Sequence, residues 1–332
     1  MSDGGDGFGE VLAKLLGAKP QTTVTVDAAH RSLKTKWRWV AKNKTALIET
    51  AQVIGLALLP SGKFHPFELD TFGIGKIFQA AMKRGAEKIL IGIGGSATND
   101  GGFGLARALG WKFLDRCGNE IKNWTGLVTL ETIRKPSLKR FPRVIVAVDV
   151  QNPLLGKSGA TQVYGKQKGL LAQDFGLAEN CLRRLAKVCS DGLRPSLKWR
   201  RSQTAATIPG DGAAGGLGFG LRIFLDGKLE RGFEIFSRHA HLPGRIRNAD
   251  LVITGEGAID RQTFMGKGVG EVFKLCSRLR VPCVALTGKV EGSKKKLPVR
   301  AIVPGLATAR DAQTNAAFYL SKLAERVAEK YR

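Results

Sequence analysis

The chain has 332 residues, enough for two ordinary domains or one large one, and its 43% hydrophobic and 24% charged residues exclude a disordered or fibrous protein. A formal charge of +25 favours anionic partners, but with no helix-turn-helix, zinc-finger or RRM pattern the basic surplus reads as solvated surface, and nucleic acid is disfavoured. The five cysteines form no CxxC, the N-terminus lacks a signal-peptide pattern, and no run reaches the about 18 apolar residues of a membrane span, so free thiols, no membrane and a cytoplasmic setting are expected.

In chain order, residues 8–16 read as a short helix after a DGGDG turn. Residues 22–26 alternate as TVTV. Residues 34–40 alternate too: Lys34, Lys36 and Arg38 share one strand face, and Thr35, Trp37 and Trp39 the other. The tryptophans are expected to be buried beneath a basic edge. Residues 46–59 look helical, and 74–84 form a second helix. Ile89–Ile91 is an apolar strand that empties into GIGGSATNDGG, with a helix suggested by GLARAL at 104–109. VIVAVDV, 144–150, is a continuous buried-type strand ending near Asp149. Residues 215–223 open as a glycine loop and continue apolar. Residues 251–253 and 281–286 are further buried strands, and 312–329 is an amphipathic helix. Buried strands separated by helices argue an α/β protein with mainly parallel sheet, whose ligands sit at the carboxyl ends of strands.

Glycine, carboxylate and hydroxyl residues recur in four clusters: SDGGDG (2–7), GIGGSATNDGG (92–102), PGDGAAGGLG (209–218) and TGEGAIDRQTFMGKG (254–268). Gly94 and Gly95 let backbone approach a ligand, while Ser96 and Thr98 offer hydroxyls. Asn99 and Asp100 suit a helix cap, and the free N–H groups of that helix suit an anion. In the third cluster, Gly215 and Gly216 offer a backbone cradle near Asp211, or close packing of a helix on a sheet. In the fourth, Glu256 and Asp260 lie at i and i+4, Thr263 adds a hydroxyl, and Gly266 and Gly268 flank Lys267. Phosphoryl transfer needs this mixture: carboxylates for Mg²⁺ or for the attacking hydroxyl's proton, and a lysine with N–H groups for the phosphate. The spacing is neither Walker A nor the kinase GxGxxG, and helix-entry caps with surface charge are the structural alternative. Asp149 at a strand's carboxyl end suits Mg²⁺ or a loop cap. His239 and His241 lack a nearby partner ligand and read as satisfied or surface histidines. No GxSxG elbow occurs, so a hydrolase triad has no support.

Together SDGGDG, ALIETAQVIGLALLP (46–60), ILIGIGGSATNDGGFGLARALG (89–110), VDVQNPLLG (148–156), YGKQKG (164–169), PGDGAAGGLGFGL (209–221) and ADLVITGEGAIDRQTFMGKG (249–268) resemble the glycerate kinase type 1 family, in family order and over essentially the whole chain. The resemblance implies ATP-dependent phosphorylation of D-glycerate with Mg²⁺, 2-phosphoglycerate being the favoured product. It implies two α/β domains: a Rossmann-like one from both chain ends (1–20 and 240–332) and an inserted one (21–239), with the active site in the cleft between. Asp260, Lys267 and Glu256 are then the expected catalytic residues, and Asp149 and Glu256 the expected metal carboxylates. Gly94, Gly95, Gly215, Gly216, Gly255, Gly257, Thr263 and Gly266 are expected at ATP, and Asp3, Asp6, Ser96, Thr98 and Asn99 at glycerate. The family pattern also places a strand and a lysine-bearing loop ahead of SDGGDG, which here follows Met1 at once; a misassigned start is the expectation. The alternative is an inactive kinase-like protein that binds anions or nucleic acid through its basic surface.

Overall fold

The computed structural model describes residues 7–137, 141–192, 208–260, 263, 268–291 and 298–330. The chain divides into two units, one ending at Ile235 and the other comprising Phe236–Arg332. In chain order the strands are β1 (Lys19–Val26), β2 (Ser32–Val40), β3 (Thr45–Glu49), β4 (Lys88–Gly92), β5 (Lys112–Asp115), β6 (Leu130–Arg134), β7 (Arg143–Val148), β8 (Lys228–Arg231), β9 (Val252–Ile259), β10 (Cys283–Val290) and β11 (Val299–Ala301).

The larger unit is built on a six-stranded sheet of order β1-β2-β3-β4-β7-β8. Strands β3, β4, β7 and β8 run parallel, and β1 and β2 form an antiparallel hairpin joined to β3. The parallel strands carry continuous apolar runs because both sheet faces are covered. Ile48, Ile89, Ile91, Val144 and Val146 point into one core with Ile74, Phe78 and Phe103. Their neighbours Leu47, Leu90, Ile145 and Ala147 point the other way, onto Phe8, Leu12 and Ile235. Helix Phe8–Leu16, grouped with 240–332 in the sequence reading, thus packs here on the sheet of the larger unit, because its apolar face matches this second face. The hairpin β5–β6 stands apart as a two-stranded sheet. On β2 the expected alternation holds: Trp37 is 3% and Trp39 8% exposed, and the Arg84 guanidinium lies over the Trp39 ring.

The smaller unit holds a three-stranded parallel sheet, β11-β10-β9. Val284, Leu286 and Ile302 pack on Ala312, Leu323 and Val327. Helix Gly268–Leu279 turns Val269, Val272, Leu275 and Cys276 inward and packs with β9 and β10.

Three sequence expectations change. Residues 46–59 are not one helix: Thr45–Glu49 is the fully buried strand β3, followed by the short helix Ala51–Ile54, which stops at extended Gly55. Pairing with β2 and β4 on both sides outweighs the local preference of Ala, Leu and Glu for helix. Strand β9 continues through TGEG to Ile259, so that segment is strand rather than loop. The last helix breaks at Asn315 into Ala309–Thr314 and Ala316–Lys330. Among the described residues, no helix is long and apolar enough to cross a membrane.

Candidate active site

Strands β4 and β7 are parallel neighbours, with Gly92 paired to Ala147. Their carboxyl ends therefore deliver Gly94–Ser96 and Asp149 side by side. With Leu56, Tyr164, Gln167, Lys168, Ala213 and Ala214, these residues line a cavity of ≈ 390 Å³. The loop after β4 is tied down by Leu56 N donating to Gly95 O (2.9 Å) and Ala97 N donating to Ile54 O (2.8 Å). Gly95 has φ +72°, which glycine adopts at no steric cost.

The polar residues of this loop part ways. Ser96 lines the cavity, and its Oγ lies 2.9 Å from Thr98 Oγ1. Thr98, Asn99 and Asp100 are fully buried. Asn99 Nδ2 donates to Thr161 Oγ1 at 3.1 Å. Asp100 is a structural clasp: its carboxylate accepts from Thr71 N (2.9 Å), Thr71 Oγ1 (2.8 Å), Gly102 N (3.1 Å) and Gly104 N (2.9 Å). It thereby joins the starts of helices Phe72–Lys83 and Phe103–Ala108. Burial, aided by the charge of Asp70, pushes its pKa up to about 6.

The third cluster is a packing device. Ala214, Gly215 and Gly216 are left-handed, with φ of 54°, 68° and 88°. Gly101 N donates to Gly215 O at 3.0 Å, and a β-carbon on Gly216 would stand 2.8 Å from Gly101 Cα. The two glycine clusters interlock backbone to backbone, so Gly215 and Gly216 serve close approach, while Ala213 and Ala214 line the cavity. Asp211 is buried in a two-bond ion pair with the Arg222 guanidinium.

Lys168 was not singled out from the sequence. It lies between Gly165 and left-handed Gly169, is 9% exposed, and donates from Nζ to Thr98 O at 2.6 Å. Burial lowers its pKa to about 7, against the opposing pull of Asp100. The signal was present in YGKQKG: a lysine in a short glycine-flanked turn presents its ammonium from a fixed backbone.

The fourth cluster lies in the smaller unit. Thr263 Oγ1 donates to Glu256 Oε1. Asp260 N donates to Thr263 Oγ1 (3.1 Å), and Thr263 N donates to Asp260 Oδ1 (3.0 Å). The structure thus joins Glu256, Asp260 and Thr263 in one hydrogen-bonded turn. Gly255 and Gly257 lie inside β9, and a β-carbon on Gly255 would stand 2.4 Å from Leu286 O, so Gly255 answers strand packing. With Glu256 they line a second cavity, of ≈ 1010 Å³. Asp3, Asp6, Gly266 and Lys267 lie outside the described residues.

Among the described residues, no three His, Cys, Asp or Glu side chains gather as a metal cage. Magnesium rarely needs one, being held by one or two carboxylates together with phosphate oxygens. Asp149, exposed on the cavity lining, fits that mode.

The profile of the glycerate kinase family matches residues 1–332. A glycerate kinase of Bacillus subtilis is 34% identical over 99% of this chain and 86% of its own length. A glycerate 2-kinase of Escherichia coli is 38% identical over 87% of this chain and 75% of its own. A crystal structure assigned as glycerate kinase 2 of Salmonella typhimurium LT2 superposes with a TM-score of 0.80 at 30% identity, covering 100% of this chain and 89% of that one. With a family match over its whole length and relatives of this similarity, the chain belongs to the glycerate kinase family and is a kinase.

Proposed function

We propose that this chain transfers the γ-phosphoryl group of ATP to a hydroxyl of D-glycerate, giving 2-phosphoglycerate. The observation that carries the reading is the ≈ 390 Å³ cavity in which Gly94, Gly95, Ser96 and Lys168 converge. A three-carbon acid with one negative charge needs an ammonium and a few short donors, and these residues supply them. The names of the E. coli and B. subtilis relatives point to glycerate.

In the proposed step, the glycerate hydroxyl oxygen bonds to the γ-phosphorus as the bond from that phosphorus to the bridging oxygen breaks. ADP leaves with the electron pair, and the hydroxyl proton passes to a carboxylate. Magnesium, when bound, neutralises charge on the phosphate oxygens, and Asp149 is the carboxylate proposed to hold it. Lys168 orients the acid and balances its charge. Asp260 is the proposed base and Lys267 the proposed partner of the transferred phosphate. Glu256 supports that cluster through Thr263.

Incubating the protein with MgATP and D-glycerate, following ADP and assigning the product by ³¹P NMR, tests the reading. Glycerate-dependent ADP release with a 2-phosphoglycerate signal is expected. ADP release that is indifferent to D-glycerate overturns it.

A further inference from the structure

Glu49 closes β3 and stands in register with Gly92, the last residue of β4. The next residue keeps that register, with Thr50 N donating to Gly92 O at 3.0 Å. A carboxylate at the carboxyl end of a parallel strand lies in the region where ligands bind. Glu49 nevertheless does not line the cavity that holds Gly94, Ser96 and Lys168. It is 8% exposed, and its Oε1 accepts the backbone N–H of Gly7 at 2.8 Å.

Burying a carboxylate is costly unless it is paired. Its partner here is the start of helix Phe8–Leu16. Gly7 is the N-cap of that helix, with φ +81°, and has no side chain to cap it. In a capping box, the glutamate at the third helical position takes the N–H of the N-cap. That residue is Glu10, which pairs instead with Lys14 at 3.1 Å. Glu49 fills the role from β3, at the positive end of the helix dipole. The fit is close: a β-carbon on Gly9 would stand 3.1 Å from Glu49 Oε2 and 3.0 Å from Arg38 Nη1. Phe8 and Leu12 pack on Leu47 and Leu90. These apolar contacts fix the helix on the sheet, and the Glu49 bond fixes where its first residue lies. A local cap would have served the helix alone; this one ties it to a strand 42 residues away.

Gly7 is also the last residue of SDGGDG. Successive Cα atoms are about 3.8 Å apart, so the anchor lies one residue from Asp6. We propose that Glu49 is a positioning residue for the phosphoryl transfer: by holding Gly7 at the carboxyl end of β3, it fixes the end of the acidic segment one strand away from the loop that carries Gly94, Gly95 and Ser96. The inference rests on the proposed function, in which D-glycerate binds at that loop, and on the expectation that Asp3 and Asp6 meet the acid. Glu49 itself touches no substrate and acts through the backbone it holds.

The test compares Glu49→Ala with Glu49→Gln in the full chain. Gln keeps an amide oxygen for the Gly7 N–H, and Ala keeps none. Each is assayed for turnover of D-glycerate with MgATP, and amide hydrogen exchange of the peptide containing Gly7 is followed by mass spectrometry. Thermal melts set a temperature at which each is folded. Should Glu49→Ala not fold, Glu49→Asp replaces it, since its shorter side chain keeps the charge and falls short of Gly7. In Glu49→Ala, KM for D-glycerate should rise about tenfold or more while kcat and KM for MgATP stay within about threefold. Exchange at the start of the helix should quicken about tenfold or more, as expected for a lost charge-assisted hydrogen bond. Glu49→Gln should recover most of both. Unchanged exchange in Glu49→Ala overturns the anchor. Faster exchange with an unchanged KM for D-glycerate leaves Glu49 a helix cap alone and overturns the positioning role, as does a rise in both KM values together. A wild type that turns over no D-glycerate removes the proposed acid; faster exchange in Glu49→Ala then keeps the anchor, and unchanged exchange removes that too.

Discussion

A β-carbon on Gly215 would stand 1.9 Å from the carbonyl oxygen of Thr98, so the third glycine cluster meets the loop after β4 at a distance only glycine permits. That oxygen also accepts the Lys168 ammonium, at 2.6 Å. One carbonyl thus couples the packing of two loops to the placement of the buried lysine.

Gly215→Ala combines a backbone clash with a left-handed φ of +68°. The expected loss of stability exceeds about 4 kcal/mol, well beyond the usual point substitution. Urea unfolding followed by circular dichroism checks it, and a midpoint close to wild type contradicts the interlock.

Lys168→Met tests the electrostatics of the same place. The pKa of Lys168 is lowered from 10.5 to about 7 by burial, so the unfolded chain binds a proton that the folded chain releases over that window. Its contribution to stability is present above about pH 10.5 and is lost as pH falls toward about 7. The variant lacks this slope. Thermal melts from pH 6 to pH 10 should show Lys168→Met gaining most on wild type at the acid end. A difference that does not vary with pH argues against the burial effect.

Asp100→Asn replaces an acceptor that serves four donors with a group that is half donor. Stability should fall by roughly 2–4 kcal/mol, as buried donors lose partners. The raised pKa has the opposite sign to a salt-bridged carboxylate. The contribution of Asp100 is fullest below about pH 3.8 and declines as pH rises through about 6. Denaturant melts on either side of pH 6 should show that decline in wild type and not in the variant.

Asp149→Asn keeps the size and shape of an exposed side chain on the cavity lining and removes its charge. Turnover should then require more Mg²⁺, with the half-saturating concentration raised about tenfold or more on loss of a charged ligand. A magnesium titration that matches wild type removes Asp149 from the metal site.

Asp260→Asn retains an Oδ1 to accept from Thr263 N, so the turn is kept and the proton acceptor is lost. If Asp260 is the base, kcat falls by about a hundredfold or more with little change in KM. Near-normal turnover at saturating substrate rules it out.

The buried centre of the larger sheet was legible because Ile89–Ile91 and Val144–Val148 can satisfy continuous apolar runs in few other ways. Strand β2 was legible from the alternation of lysine and tryptophan. Strand β3 was not. Ala46, Leu47 and Glu49 are helix formers, and their strand state depends on pairing with nearby Arg38–Val40 on one side and with Lys88–Gly92, distant in sequence, on the other. At the site, the rule that ligands gather at strand carboxyl ends brought Gly94, Gly95, Ser96 and Asp149 to one cavity. It could not show that Thr98 and Asn99 turn inward, since hydroxyl and amide groups suit a ligand and a buried hydrogen bond equally. Gly215 and Gly216 posed the same difficulty: a phosphate cradle and a backbone contact both demand glycine. For Lys168 the glycine-flanked turn of YGKQKG marks a lysine on a fixed backbone, but its burial is set by tertiary packing and is not written in that spacing.

The parallel strands have a second end. Thr45, Lys88 and Arg143 stand in register at the amino edge of β3, β4 and β7, tied by Arg143 N donating to Glu87 O and by the Lys44–Glu87 ion pair. Thr45, Lys88 and Arg143 do not line the cavity that holds Gly94, Ser96 and Lys168, and a β-carbon on left-handed Gly85 meets nothing within 4 Å. That rim is where an inserted peptide, a fluorophore or a surface tether can be accommodated, as exposed turns generally allow. The fold thus supplies its own attachment point for watching the opposite end at work.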